Sequence, residues 1–321
     1  MNEWSENKKK ILIMTPCYNE QETINKFHKT VTDIVKDMTN DYDIHILYVN
    51  DGSKDMTQII LEDLVKTSDV RTHYITFSRN FGKEAAMLAG FEYSYNKGYD
   101  ATIVMDTDLQ DDPSLIKEMI SKWEEGYQHI YTKHKNRKGE SFLKKVFSKA
   151  FYKVYAKLTG IKNMAQGARD YSLLDKKVVE AYIKFPDVDR FTKGISTWVG
   201  FKKYCIEFDY AQRCGGKTKW SFKKLFKYAI LGINQFSDFL KYIPRILMVI
   251  FSLLLAGDIV RVSLISNDLN FFSYFDNTNI RIDIVGLLLS VAFSGIYKVT
   301  YDTKKQATKR PIYLISETDE E

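Results

Sequence analysis

Cysteine is scarce in this chain: Cys17, Cys205 and Cys214 are the only three among 321 residues. The number is odd and no CxxC pair occurs, which argues against a disulfide framework or a zinc site and for a reducing compartment. The five histidines are scattered and no HExxH motif is present, so a histidine-held metal is not expected. Neither GxGxxG nor the P-loop pattern occurs, which disfavours a dinucleotide fold and a nucleotide triphosphatase. The polar, basic stretch Met1–Lys10 is followed by only Ile11–Met14, too short for a signal-peptide core, so the first domain is expected to stay on the side of synthesis. Charge of one sign does not dominate either. The net value of +6 permits attraction to phospholipid or nucleic acid without choosing between them. No RNA- or DNA-binding motif accompanies it and the basic residues gather beside apolar segments, so nucleic acid is not an expected partner.

What is present begins with alternation. Apolar strand-like runs at Ile11–Met14, Ile44–Asn50, His73–Phe77 and Ala101–Met105 are separated by helical patterns around Glu20–Lys36, Asp55–Thr67, Lys83–Tyr95 and Pro113–Glu125. This spacing predicts βαβ units on a mostly parallel α/β sheet, whose ligands sit at the carboxyl ends of the strands. Polar motifs follow each run. Val104-Met105-Asp106-Thr107-Asp108-Leu109-Gln110 follows the fourth, and an Asp-x-Asp at a strand end can hold a hard divalent cation while open positions accept diphosphate oxygens. A turn or capping role is the competing explanation of such a pair. Pro16 and Tyr18 fix an extended loop able to hydrogen-bond a base, and Glu20 is expected to open a helix, where the dipole favours an acid. Asp51, in Asn50-Asp51-Gly52-Ser53, is placed to accept from an imide N–H such as that of uracil, or else belongs to an Asx-turn. Gly82 precedes a helix start, where free N–H groups and Lys83 could meet a diphosphate. Lys133, Lys135, Arg137 and Lys138 form a cationic cluster, either solvated surface or a holder of lipid phosphate.

The second half changes character. A basic helix with aromatics is expected over Ser141–Leu158, and an amphipathic one over Ser221–Tyr242 suits a headgroup layer. Ile246–Ile265 has the length of a membrane span, and Ile282–Val299 is a second, shorter candidate. The loop Ser266–Arg281 holds one basic residue while both flanks are rich in lysine and arginine, so the positive-inside rule puts both flanks in the cytoplasm. Asp258 and Arg261 lie one turn apart inside the first span and could pair or shelter against a second copy, which makes a homo-oligomer plausible. Two buried helices of a second soluble domain are the competing explanation of this hairpin.

Several stretches together resemble the family 2 glycosyltransferases of GT-A fold, in particular those acting on polyprenyl phosphate of bactoprenol or dolichyl type. They are Pro16-Cys17-Tyr18-Asn19-Glu20, Asn50–Asp55, Ser78–Glu84, Asp106–Asp111, Gly167–Tyr171, Arg190-Phe191-Thr192-Lys193-Gly194, Trp198-Val199-Gly200 and Gly216–Trp220, in family order over nearly the whole chain. The resemblance implies a GT-A domain (residues 1–220), interfacial amphipathic helices (221–243), a two-helix transmembrane hairpin (244–300) and a cytoplasmic tail (301–321). It implies a multi-pass cell-membrane protein with its catalytic domain in the cytoplasm. It places Asp51 on uracil, with Pro16, Tyr18 and Glu20 lining the nucleotide pocket. Asp106, Asp108 and Gln110 would hold Mg²⁺ or Mn²⁺ against the diphosphate, and Asp170 would line the sugar pocket. Lys133 and Arg137 would receive the acceptor phosphate, with Arg169 a further candidate. The family often has arginine where this chain has Ser172, which shifts that contact towards Arg169 or Lys133.

The expected reaction is an inverting, metal-dependent transfer of one hexose from a UDP-sugar to undecaprenyl or another polyprenyl phosphate, for cell-envelope glycosylation. Glucose and N-acetylglucosamine lead; galactose and a GDP-mannose donor stay open. A processive polysaccharide synthase of the same fold is the rival enzyme, but Gln212-Arg213 lacks the Gln-x-x-Arg-Trp spacing and two spans cannot enclose a polymer path. A non-catalytic membrane adaptor with a degenerate nucleotide-binding domain is the rival from another class, and retention of both aspartates argues against it.

Overall fold

The structure, a computed structural model, describes residues 8–135, 152–161, 168–185, 187, 190–209, 222–237 and 315–318, with scattered positions between 289 and 307. The first strand, β1 (Lys9–Cys17), leads to helix α1 (Ile24–Val35), then β2 (Tyr42–Asn50), α2 (Thr57–Thr67), β3 (Thr72–Phe77), α3 (Lys83–Asn96), β4 (Ala101–Val104) and α4 (Leu115–Glu124). There follow β5 (His129–His134), β6 (Ala168–Asp175), α5 (Lys176–Ile183), α6 (Thr192–Trp198), β7 (Lys203–Phe208), α7 (Phe222–Phe236) and β8 (Ile315–Thr318). The alternation expected over the first half is present, and the fold is α/β.

The eight strands form one sheet in the order β7-β5-β6-β4-β1-β2-β3-β8. β4, β1, β2 and β3 run parallel, β6 lies antiparallel between β4 and β5, and β7 is parallel to β5. Ile11, Leu12, Ile13 and Met14 are all fully buried, as a strand covered on both faces requires. Side chains alternate along the strand, so Ile11 and Ile13 face one layer and Leu12 and Met14 the other. The first layer is closed by α1, whose Ile24, Phe27, Val31 and Val35 repeat at helical spacing and join Ile11 and Ile13 in one core. α3 covers the second layer. It is buried almost continuously from Ala85 to Phe91, and a methyl group at Gly90 would meet Met14 Sδ at 2.0 Å. Only small residues let this helix lie so close to β1.

Three boundaries differ from the sequence expectation. β1 continues through Pro16 to Cys17, so Pro16 belongs to the strand rather than to the loop after it. Glu20 does not open a helix: α1 starts at Ile24, and the Glu20 carbonyl accepts from Thr23 N (3.0 Å) and Ile24 N (3.1 Å). Residues 315–318, expected within a tail, instead pair antiparallel with β3 and close that edge of the sheet. The later strands β5, β6 and β7 and helices α5 and α6 were not placed from sequence, because their runs are short and mixed with charge.

The chain divides into two compact units, residues 1–232 with 311–321, and residues 233–310. Among the described residues no helix is long and apolar enough to cross a membrane. The span expected at Ile246–Ile265, with Asp258 and Arg261, lies outside the described residues. Of Ile282–Val299 only scattered positions are described, and these are helical. In the helix expected at Ser141–Leu158, residues 141–151 lie outside the described residues and 152–158 are helical. Of the amphipathic segment expected at Ser221–Tyr242, Phe222–Phe236 is helical as α7, and residues 221 and 238–242 lie outside the described residues.

An unpaired β3 edge would open its backbone to water. Removing residues 311–321 should therefore raise hydrogen exchange over Ile75–Phe77, where β8 pairs, and leave the β1–β2 amides protected; unchanged exchange across β3 would mean that β8 contributes nothing to this edge.

Candidate active site

The strand order reverses beside β1, which has β2 on one side and β4 on the other, and ligands of such sheets bind where it reverses. β4 pairs with β1 only as far as Val104, and the last bond across is Met105 N to Met14 O at 3.0 Å. Pro16, two residues beyond Met14, faces the same side. Its missing N–H costs nothing there, because β4 has already departed. Tyr18 and Glu20, just past the end of β1, are half-buried.

The loops after β1 and β2 are tied together. Asn19 N donates to Ser53 Oγ (2.9 Å), Lys54 N to Asn19 Oδ1 (2.8 Å) and Glu20 N to Thr57 Oγ1 (2.9 Å). Asn50, not Asp51, serves the turn: its Oδ1 accepts from Ser53 N at 3.0 Å. The buried Asp51 carboxylate instead accepts from Phe81 N (2.6 Å), Gly82 N (2.9 Å) and Asn80 Nδ2 (2.9 Å), so it shapes the loop that precedes Lys83. Burial pushes its pKa up, and the two backbone donors counteract only part of that. Gly52 allows the loops to meet. It has φ +65°, and a Cβ there would fall 2.4 Å from the Arg79 carbonyl carbon.

Asp106 and Asp170 come together through strand register. Val104 pairs with Ser172 in the antiparallel β4–β6 ladder, so two residues past one and two before the other bring Asp106 opposite Asp170. Lys83 reaches both from the start of α3, its Nζ lying 2.7 Å from Asp106 Oδ1 and 2.7 Å from Asp170 Oδ2. Burial disfavours the Lys83 charge, but the two carboxylates outweigh it and raise the pKa. Burial likewise opposes ionisation of Asp170, and Lys83, with help from Lys193 and Arg169, overrides it and holds that carboxyl well below the usual range.

Leu109 sits at φ +52°, an uncommon conformation for a bulky side chain that costs about 1–3 kcal/mol. It reverses the chain so that Gln110 N donates to Asp108 Oδ1 at 3.1 Å, with Gln110 itself buried. Among the described residues no three of His, Cys, Asp and Glu converge on a metal-sized site. The donor set is the Asp106 and Asp108 carboxylates, which fits a Mg²⁺ or Mn²⁺ that arrives with, and completes its shell from, diphosphate oxygens and water.

Arg169 is committed to Asp111, a residue not singled out from sequence. Its Nε and Nη2 lie 2.9 and 3.3 Å from the two Asp111 oxygens. Burial pushes the Asp111 carboxyl up to about 6 against the pull of Arg169, and the pair remains ionic at neutral pH. Lys133 lies at the same sheet end as Asp170 and binds Glu207 Oε1 at 3.2 Å. Arg137 is outside the described residues. A cavity of about 70 Å³ opens beside Asp170, walled by Met87, Phe91, Leu174, Thr197 and Lys193. Glu84 was also missed, since nothing marks an acid after a lysine: its half-buried carboxylate accepts from Thr192 N–H and Oγ1 and from Tyr228 OH (2.5 Å), holding α6 and α7 against α3.

Removing Arg169 leaves Asp111 a buried, unpaired charge, a loss of about 3–5 kcal/mol. Without the guanidinium the Asp111 pKa rises further above its unfolded value, so its contribution is retained at low pH and lost as pH rises through the folded pKa. Arg169→Ala should therefore lower the melting temperature more at pH 7.5 than at pH 5; an equal loss at both would refute the buried ion pair.

The family model for glycosyl transferase family 2 matches residues 12–183, from β1 through α5. The chain is 36% identical over 316 residues to the putative glycosyltransferase CsbB of Bacillus subtilis, covering 96% of this chain and 92% of that protein. It is 36% identical over 230 residues to the prophage bactoprenol glucosyl transferase homolog of Escherichia coli, covering 72% and 73%. Among solved structures, Staphylococcus aureus TarS 1–349 in complex with UDP superposes with TM-score 0.47 and 13% identity over 71% of this chain and 66% of that one, a likeness too loose to bear on the site. From a match over more than half its length and relatives along nearly all of it, the chain belongs to glycosyl transferase family 2 and is a glycosyltransferase.

Proposed function

We propose that the protein transfers one hexose, glucose or N-acetylglucosamine, from a UDP-sugar to a polyprenyl phosphate at the cytoplasmic face of a membrane, with inversion. The observation that carries this reading is the convergence of Asp106, Asp170 and Lys83 at the sheet end where the strand order reverses. The relatives named bactoprenol glucosyl transferase support the lipid acceptor and favour glucose.

The nucleophile is a phosphate oxygen already anionic near neutral pH, so no strong general base is needed. Its lone pair forms the new bond to the anomeric carbon from the face opposite the diphosphate, and the old C1–O electrons leave with UDP. Asp51 shapes the loop that presents Lys83 and retains acceptor capacity for an imide N–H. Lys83 keeps Asp170 and turns its remaining donors to diphosphate oxygens, and Asp170 borders the sugar. A Mg²⁺ or Mn²⁺ held by Asp106 and Asp108, beside Gln110, would supply charge stabilisation for the departing diphosphate.

The membrane arrangement draws support from β8. Because β8 pairs with β3, the chain on either side of residues 233–310 lies on one side of any bilayer, and that segment can cross only an even number of times. Two spans, with the amphipathic α7 in the headgroup layer, satisfy this and the charge asymmetry together.

Membranes containing the protein, given labelled UDP-glucose and UDP-N-acetylglucosamine, should yield one sugar per extracted lipid phosphate. Asp108→Ala should lower transfer at least about a hundredfold while the protein stays in the membrane fraction. A native rate from that variant would remove the metal assignment, and a polymeric product would replace this reading with the processive one. A single cysteine placed in Ser266–Arg281 should react with an impermeant reagent from outside intact cells, whereas one at Thr318 should react only after permeabilisation; the reverse pattern would overturn the topology.

A further inference from the structure

In the block Arg190-Phe191-Thr192-Lys193-Gly194, Thr192 is an anchor for Glu84 and no residue has yet been given a ligand. Within it, Lys193 stands apart from the other cations near Asp170. Lys83 is shared by Asp106 and Asp170, Arg169 is bound to Asp111, Lys133 to Glu207, and Lys203 Nζ donates to Ser196 O at 2.5 Å. Among the described residues the Lys193 ammonium has no hydrogen bond and no ion pair, yet Lys193 lines the cavity beside Asp170 and acts on that carboxylate more strongly than Arg169 does.

An ammonium held in a half-buried cavity without a paired counter-ion is short of an anion. Asp170 does not supply it, because Lys83 already neutralises that carboxylate at 2.7 Å. The cavity is sized for one small group. At roughly 10–15 Å³ per water position, its 70 Å³ has room for about five to seven waters, enough for a group the size of a phosphate. Met87, Phe91 and Leu174 form apolar wall, which strengthens any charge pairing inside, and Thr197 and Ser196 line it with Lys193. Lys193 is placed without strain: it follows Thr192, which Glu84 anchors through both backbone N–H and side-chain oxygen.

We propose that Lys193 binds the phosphate of the acceptor in this cavity and holds it beside Asp170 for attack on the sugar. This rests on the glycosyl-transfer reading above and gives its acceptor a specific ligand that the expected Lys133 and Arg169 do not provide, both being spoken for. In the step itself one acceptor oxygen forms the bond to the anomeric carbon, the bond from that carbon to the UDP oxygen breaks, and the electron pair departs with UDP. Lys193 contacts the acceptor's non-bridging oxygens and neither gains nor loses a proton.

The test uses the full-length protein in detergent, labelled UDP-glucose as donor and farnesyl phosphate as acceptor, with the two KM values measured separately. Lys193→Ala should raise the KM for farnesyl phosphate roughly ten- to a hundredfold, the range for losing one charge-assisted hydrogen bond. The KM for UDP-glucose and the melting temperature should stay as in the wild type, and Lys193→Arg should recover most of the loss. If the wild type transfers sugar and Lys193→Ala keeps its acceptor KM, or raises the donor KM instead, Lys193 is not the acceptor ligand and the glycosyl-transfer reading stands. If the wild type transfers no sugar from any nucleotide donor to farnesyl phosphate or a longer polyprenyl phosphate, that reading falls and takes this assignment with it.

Discussion

One lysine keeps two carboxylates in the same place. Asp106 and Asp170 arrive from adjacent antiparallel strands at positions that register brings opposite each other, and two half-buried like charges would otherwise repel. Lys83, the first residue of α3, lies within ion-pair distance of both and offsets that repulsion. Its own position is fixed from behind: the Asp51 carboxylate collects the N–H groups of Phe81 and Gly82, the two residues before it. The chain of dependence therefore runs from the end of β2, through the loop after β3, to the end of β4 and the start of β6.

A second set of contacts reaches outward from the same helix. Glu84, next to Lys83, accepts from Thr192 at the start of α6 and from Tyr228 on α7, so a half-buried carboxylate ties the amphipathic helix to the lysine that organises the site. Burial pushes the Glu84 pKa up, and the Thr192 and Tyr228 hydroxyls counteract part of that. β8 adds a constraint from the far edge, because its pairing with β3 returns the chain to the first unit after residue 310. The elements on either side of residues 233–310 are thus both anchored to the sheet that carries the site.

The first half of the fold was legible because its strands are runs of apolar residues buried on both faces and its helices repeat apolar residues at helical spacing, as in Ile24, Phe27, Val31 and Val35. β6 was not, since Ala168–Asp175 mixes charge with apolar residues. Its alternation means something only once β4 and β5 flank it. Pro16 misled for a related reason: proline usually ends a strand, and only the departure of β4 frees its side of β1 from needing a donor. The site residues were legible as chemistry at strand ends. Their partners were not, because Asp111 and Glu207, which occupy Arg169 and Lys133, lie 58 and 74 residues from them along the chain.

By itself the sequence determined the alternating α/β order, the acidic pair after the fourth strand, the glycine and lysine where α3 begins and the family these motifs belong to, since each depends on neighbours a few residues away. The tertiary structure alone decided which charges neutralise one another. It set Asp170 against Asp106, gave Arg169 to Asp111 and left Lys193 uncommitted among the described residues, because strand register and the packing of α6 on α3 bring together groups that no local pattern relates.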